Sequence, residues 1–163
     1  MNIITEFTPN PQNDGKVKVF IVQNWGSENI VSKGKITNAS KISRVIVKDS
    51  GGDIIGLATF LIDKKDNSCE LISIDSKYQR KGVGSKMIEI VEKSAKKAGA
   101  KKIWLITTND NYDAAIFYIK RGYCLSAVHK NALEVSRKLK PQIPLKGKYD
   151  IFLRDEWEFE KSL

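Results

Sequence analysis

Histidine occurs once in this chain of 163 residues, cysteine and methionine twice each, and proline four times. A single histidine and the absence of any Cys-x-x-Cys leave no ligand set for a metal site. Cys69 and Cys124 fall far apart, both in stretches that read as strands. They read as small buried hydrophobes of a reducing compartment rather than as a disulfide framework. No apolar run approaches the roughly 20 residues that a membrane helix needs, so no membrane partner is expected. The first six residues carry neither a basic n-region nor an apolar h-region. No signal peptide is therefore expected, and a cytoplasmic location is. Internal repeats and low-complexity segments are also missing.

What remains is one ordinary folding problem. The length fits a single domain over residues 1–163, and 41% apolar content argues for a packed core. The net charge is +9, which suggests an anionic partner: nucleic acid, a membrane surface or a phosphorylated ligand. The charge is not evenly spread. Residues 76–102 hold nine Lys or Arg against two Glu, a net of +7, whereas the last fifteen residues hold five acids against two bases, a net of −3. Part of the basic stretch, Lys93, Lys96 and Lys97, reads as a solvated helix face.

In chain order, residues 2–7 alternate like a strand, and Pro9-Asn10-Pro11 breaks it. Asn13 or Asp14 caps a helix to about Asn24, with Val17, Phe20, Ile21 and Trp25 facing inward and Gly26 ending it. Residues 29–36 read as one strand with a turn or bulge at Lys33-Gly34-Lys35. Residues 44–48, 54–62 and 69–75 are β-branched runs separated by polar turns at 49–53 and 63–68, an antiparallel meander. A helix follows over 84–97, with Val83, Met87, Ile90, Val91, Ser94 and Ala98 on its inner face. Lys102–Thr108 is a strand, joined to the strand before that helix by an expected right-handed parallel crossover. A helix to about Arg121 and a strand over 123–129 come next. Residues 130–148 read as a long loop with one or two helical turns at 132–137, and residues 149–159 as a last strand.

The stretch that organises the chain is Ser73-Ile74-Asp75-Ser76-Lys77-Tyr78-Gln79-Arg80-Lys81-Gly82-Val83-Gly84-Ser85-Lys86. A strand ends, a polar turn follows, and a helix begins on Gln-x-x-Gly-x-Gly. Glycine permits close backbone approach, and a helix N-terminus offers unpaired N–H groups and partial positive charge, so together they suit a phosphate. Arg80, Lys81 and Lys86 add cations. A dinucleotide fingerprint would need glycine where Met87 stands, and a P-loop would need Gly-Lys followed by Ser or Thr.

This stretch resembles the acyl-CoA pyrophosphate loop of the GNAT acetyltransferase superfamily, (Gln/Arg)-x-x-Gly-x-(Gly/Ala). A second run, Asn111, Ala114, Tyr118, Gly122 and Tyr123, resembles the superfamily's Asn-x-x-Ala-x-x-x-Tyr-x-x-x-Gly-(Phe/Tyr). The specific resemblance covers residues 43–129; the flanks fit by element order only. It implies an α/β (α+β) GNAT fold: a mixed central sheet of about seven strands, with a parallel pair splayed at the acyl-CoA site and helices flanking it. It also implies acetyl-CoA as co-substrate and an amine as acceptor. Backbone groups near Ile72 and Ile74 would bind the pantetheine arm. N–H groups of Arg80, Lys81, Gly82, Val83, Gly84 and Ser85 would hold the pyrophosphate, with Gln79 shaping the loop. Asn111 and Ala114 would line the cofactor's other side. A backbone N–H near Ile74 would serve the oxyanion, and Tyr118 would be the general acid.

Each of these has a plainer reading: core for Ile72 and Ile74, an N-cap for Asn111, aromatic packing for Tyr118. Glu70 is a candidate base acting through water, sharing a face with Ile72 and Ile74 by period-two alternation, or else an exposed strand-start charge. His129 is a base, a substrate contact or incidental. Arg154-Asp155-Glu156 stays open between acceptor binding, a homodimer salt bridge and edge protection. A non-catalytic CoA-binding module and a nucleic-acid-binding module are the alternatives. The first is disfavoured by the presence of Tyr118. The second lacks any RNA-binding aromatic motif, helix-turn-helix or zinc finger. The acceptor is not named by any motif, and small amines, aminoglycosides, polyamines, amino acids and protein N-termini all stand.

Overall fold

The structure is a computed structural model that describes residues 3–9 and 13–163. Asn2, where the first strand was expected to start, and Asn10 and Pro11 of the expected break lie outside the described residues. The elements are β1 (Ile4–Thr8), α1 (Gly15–Trp25), β2 (Asn29–Ser32), β3 (Lys35–Asn38), β4 (Ser43–Lys48), β5 (Ile54–Asp63) and β6 (Ser68–Ser76). They continue with α2 (Val83–Lys97), β7 (Lys102–Thr108), α3 (Tyr112–Ile119), β8 (Cys124–His129), α4 (Ala132–Leu139) and β9 (Glu156–Ser162). Seven strands form a mixed sheet with a parallel pair, in the order β1-β4-β5-β6-β7-β9-β8, and β2 and β3 pair separately.

The chain divides into two compact units. One holds the described residues up to Ile30, Asn38–Ile103 and Leu163; the other holds Val31–Thr37 and Trp104–Ser162. In the first, β1, β4, β5 and β6 form the expected meander, each paired antiparallel to the next. The β4–β5 turn closes because the Asp49 carboxylate accepts the Gly51 and Asp53 N–H groups at 2.9 and 3.0 Å. Two helices cover the sheet's opposite faces. On one, Val17 and Ile21 of α1 join Ile46, Leu57 and Ile72 in a single cluster. On the other, α2 lies so close to β5 that a Cβ at Gly56 would stand 2.6 Å from Val83 Cγ1. Gly56 and Leu57 are neighbours, and successive strand residues point to opposite faces.

Helix α1 starts where Asp14 accepts the Lys16 and Val17 N–H groups, a side-chain cap of the expected kind. The buried stripe of α2 is Val83, Met87, Ile88, Val91 and Ala95. It is an i, i+4 row, rotated from the expected face: Ser94 is half-buried and Ala98 exposed. Cys69 is buried, and burial beside Glu70 pushes its thiol up to about 12. Cys124 is exposed, against expectation, because β8 is the edge strand of the sheet.

In the second unit, β8 and β9 pair antiparallel over a core that includes Leu105, Tyr118, Tyr123, Leu133 and Phe159. Two boundaries differ from the sequence reading. The single strand expected over 29–36 is a hairpin, because Lys33 and Gly34 both adopt left-handed backbone (φ 48° and 68°) and turn the chain back. The last strand begins at Glu156, not at residue 149. Tyr149 and Asp150 are left-handed (φ 57° and 58°), which no extended strand accommodates. Among the described residues no helix is long and apolar enough to cross a membrane.

Candidate acyl-CoA and acceptor site

In the first unit the site residues sit at the end of β6 and the start of α2. Opposite β5, β6 carries one extra residue: Ser73 faces Thr59 and Leu71 faces Phe60, which leaves Ile72 as the bulged position. The Thr59 and Ser73 hydroxyls bond at 2.7 Å beside the bulge. The bulge overturns the simple alternation expected of this strand. Glu70 lies opposite Leu61 and Asp75 opposite Leu57, and both leucines belong to the α1 side. Ile74 lies opposite Ala58, one residue on from Leu57 and therefore on the α2 side. Glu70 and Ile74 thus point to opposite faces, and Ile72, Ser73 and Asp75 are the later β6 residues that share Glu70's side. Glu70 is half-buried.

Past β6 the Ser76 hydroxyl donates to the Tyr78 carbonyl at 2.9 Å and turns the chain. Arg80 (φ 59°) and Gly82 (φ 78°) are both left-handed, a backbone that turns successive N–H groups toward a common point. Gly82 is the N-cap of α2 and contributes no side-chain hydrogen bond, and the first turn holds no acid. Gln79, Arg80, Lys81, Gly82 and Lys86 are exposed, Gly84 and Ser85 half-buried, and Val83 buried against β5. A Cβ built on Gly82 would meet nothing within 4 Å, so the space above the turn is open. These features fit an acyl-CoA pyrophosphate.

The sequence reading passed over Asp75. Its Oδ2 accepts the Trp25 indole N–H at 2.6 Å. Asp75 is half-buried and Trp25 exposed; that partial burial pushes the carboxyl up to about 6, against the pull of the donor. Trp25, expected as packing, instead bonds a strand carboxylate across 50 residues of sequence. The legible signal was a carboxylate directly after Ile74, inside a strand.

In the second unit, Asn111 caps α3: its Oδ1 accepts the Ala114 N–H at 3.4 Å, and its Nδ2 donates to Thr107 Oγ1 at 3.2 Å. Lys148 Nζ donates to the same Oδ1 at 2.9 Å. Asn111 and Ala114 are both half-buried. Tyr118 is 5% exposed, with its ring edge-on to Phe117 and Tyr123 and tilted against Phe159. The returning loop is tied to the β7–α3 junction. Asp110 accepts the Lys148 N–H at 2.7 Å, and Asn109 accepts those of Arg154 and Asp155 at 2.9 and 3.0 Å. Asn109 and Asp110, beside the Asn111 cap, thus anchor the segment 148–155.

His129 Nε2 bonds Glu158 at 2.7 Å, and Lys33 Nζ reaches the same carboxylate at 3.0 Å. Burial pushes Glu158 up, but these two partners outweigh it and hold the carboxyl below its usual range. Arg154 and Asp155 form a two-armed pair at 2.9 and 2.8 Å. Among the described residues no group of three His, Cys, Asp or Glu is placed to hold a metal ion.

Residues 3–123 match the model of the acetyltransferase (GNAT) family. The uncharacterised protein YdhI of Bacillus subtilis is 42% identical over 144 residues, 88% of this chain and 89% of its own. The solved structure of an IAA acetyltransferase from Bacillus cereus superposes with a TM-score of 0.71 at 17% identity, covering 99% of this chain and 100% of that one. A GNAT family acetyltransferase from Elizabethkingia anophelis, solved with acetyl-CoA bound, gives 0.70 at 16% identity over 99% of both chains.

Proposed function

Since the chain belongs to the acetyltransferase (GNAT) family and is an acetyl-CoA-dependent N-acetyltransferase, we propose that it acetylates a primary amine, using the turn at Arg80–Ser85 to hold its acetyl donor. Acetyl-CoA supplies a thioester activated for attack. The observation that carries the reading is the uncapped N-terminus of α2, entered through left-handed Arg80 and Gly82, with Arg80, Lys81 and Lys86 exposed beside it in sequence. Backbone N–H groups there bind phosphate oxygens without a side chain in the way.

The chain's other tasks fall to few groups. Backbone around bulged Ile72 and Ile74 orients the pantetheine arm, and an N–H near Ile74 stabilises the oxyanion. Asn111 and Ala114 line the donor's second side. The Tyr118 hydroxyl donates the proton that the departing thiolate takes. A carboxylate on β6 serves as base; Glu70, acting through water, is the one the sequence alone offers. The free Cys69 and Cys124 are consistent with work in a reducing cytoplasm.

The test is a panel of amines incubated with enzyme and acetyl-CoA, with CoA thiol release as the readout. Release that depends on both the amine and the enzyme is expected. Release indifferent to every amine would overturn the reading.

A further inference from the structure

Glu70 stands near the start of β6, roughly 13 Å of strand before Ile74. A second carboxylate on the same face, Asp75, stands immediately after Ile74 and has a built environment. Trp25 Nε1 holds its Oδ2 at 2.6 Å, which leaves Oδ1 for another partner. Among the described residues no cation pairs with it.

A groove of about 370 Å³ runs along α1, within the size range of small-molecule sites. Its apolar lining is Val19, Phe20 and Ile54, and Gln23 on α1 and Lys77 after β6 also line it. Trp25 comes two residues after Gln23, and Asp75 two before Lys77. Both walls of the groove are thus close in sequence to the Trp25–Asp75 pair.

We propose that Asp75 is the base that takes the proton from the attacking amine, that Trp25 positions it, and that the groove along α1 holds the apolar stem of that acceptor. The proposal rests on the acetyltransferase reading above. As the nitrogen–carbon bond forms, an N–H bond breaks, its electron pair stays on nitrogen, and the proton passes to Asp75 Oδ1. The carbon–sulfur pair leaves with the thiolate, and Asp75 returns its proton to solvent.

A carboxyl pushed up to about 6 by burial is matched to accepting a proton near neutral pH. The groups around it are few. Trp25 faces it from α1, and β5 presents Leu57 directly opposite. Glu70 shares its strand face, while Lys16, Asp53 and Lys77 line the groove. Lys102 of β7 is remote, since the adjacent Lys101 N–H bonds Asn67, before β6 begins. Burial and the Trp25 donor are the causes of the shift, with no charged neighbour contributing.

The experiment uses phenethylamine, a primary amine on an apolar stem, as the acceptor probe. Acetyl-CoA binding is followed by calorimetry alongside, and the Trp25 indole N–H is titrated by NMR in the parent. The parent should acetylate phenethylamine with an ascending limb of kcat/KM near pH 6, and the indole resonance should titrate at the same pH. Asp75→Asn should lower kcat/KM by roughly 10²–10⁴-fold, abolish the limb and bind acetyl-CoA as the parent does. Trp25→Phe removes a donor that favours the charged form, so its limb should move above 6. An Asp75→Asn variant as fast as the parent, or an indole resonance flat between pH 5 and 7, would overturn the base assignment. A parent that binds acetyl-CoA but leaves phenethylamine untouched would overturn the groove assignment. A parent that fails to bind acetyl-CoA would strike the family-based reading instead.

Discussion

Trp25 donates its indole N–H to Asp75 at 2.6 Å, and this bond joins the last residue of α1 to the next-to-last residue of β6. It compensates only part of the cost of burying the carboxylate, whose pKa rises from 3.8 to about 6. Folding therefore favours the protonated group. The associated stability is complete below about pH 4 and is lost as pH rises through about 6. Above that the folded chain holds a charge with one donor and no counter-ion.

Asp75→Asn keeps the volume and removes the charge. At pH 8 it should stabilise the chain by on the order of 1–3 kcal/mol, with the gain shrinking below pH 6 and absent near pH 4. Urea unfolding at three pH values measures this. A variant less stable than the parent at pH 8 would show that the carboxylate is better solvated than its surroundings imply.

Acetyl-CoA should raise the melting temperature, since a ligand at 100 times its Kd contributes about 2.7 kcal/mol. Gly82→Ala should abolish most of that rise. The new methyl would meet no protein atom, so it would obstruct only a ligand. It would also cost roughly 1–2 kcal/mol of left-handed strain. Gly99→Ala, at the other end of α2 with φ 92° and equally open surroundings, is the matched control. It should show the strain and retain the ligand shift. Equal ligand shifts in the two variants would make the Gly82 turn a purely structural device.

Glu156 is 1% exposed and accepts the Lys33 N–H at 2.8 Å and the Ser136 hydroxyl at 3.2 Å. Glu156→Ala strands both donors and opens a void, so it should cost about 2–4 kcal/mol. Glu156→Gln retains an acceptor and should cost less. Chemical denaturation of the two variants gives the order, and a Gln variant as unstable as the Ala variant would mean that the charge itself is required.

Local signals were legible wherever one element decided them. The Asp14 cap, the Gly26 stop and the 49–53 turn are short-range chemistry, and α1, α2, β5 and β6 lie close to where periodicity put them. The glycine turn that enters α2 was legible because backbone geometry there depends on a few adjacent residues. What escaped notice depended on distant partners or on pairing. The bulge at Ile72 exists only in the register with β5, and it alone decides that Glu70 and Ile74 face opposite ways. The surroundings of Asp75 depend on an indole 50 positions away. The start of β9 was misplaced because Phe152, Leu153 and the charges after them look strand-like, whereas Asn109 and Asp110 hold that segment as an irregular strap.

Tyr118→Phe should separate binding from chemistry. The ring is packed against Phe117, Tyr123 and Phe159, and phenylalanine keeps those contacts. The fold should therefore survive, which near-UV circular dichroism can verify. As general acid the hydroxyl would give its proton to the departing thiolate, a contribution of typically 10²–10⁴-fold, so the single-turnover rate should fall by that range. The acetyl-CoA Kd should move far less, because the hydroxyl's gain is realised only as negative charge develops on sulfur. Single-turnover conditions matter, since slow product release would hide a loss in the chemical step. The thiol leaving group offers a second check. A donor whose thiol is more acidic needs less help in leaving, so the variant's deficit should shrink with it. A variant that keeps the parent's single-turnover rate on both donors would make Tyr118 a packing residue, with the thiolate leaving unaided.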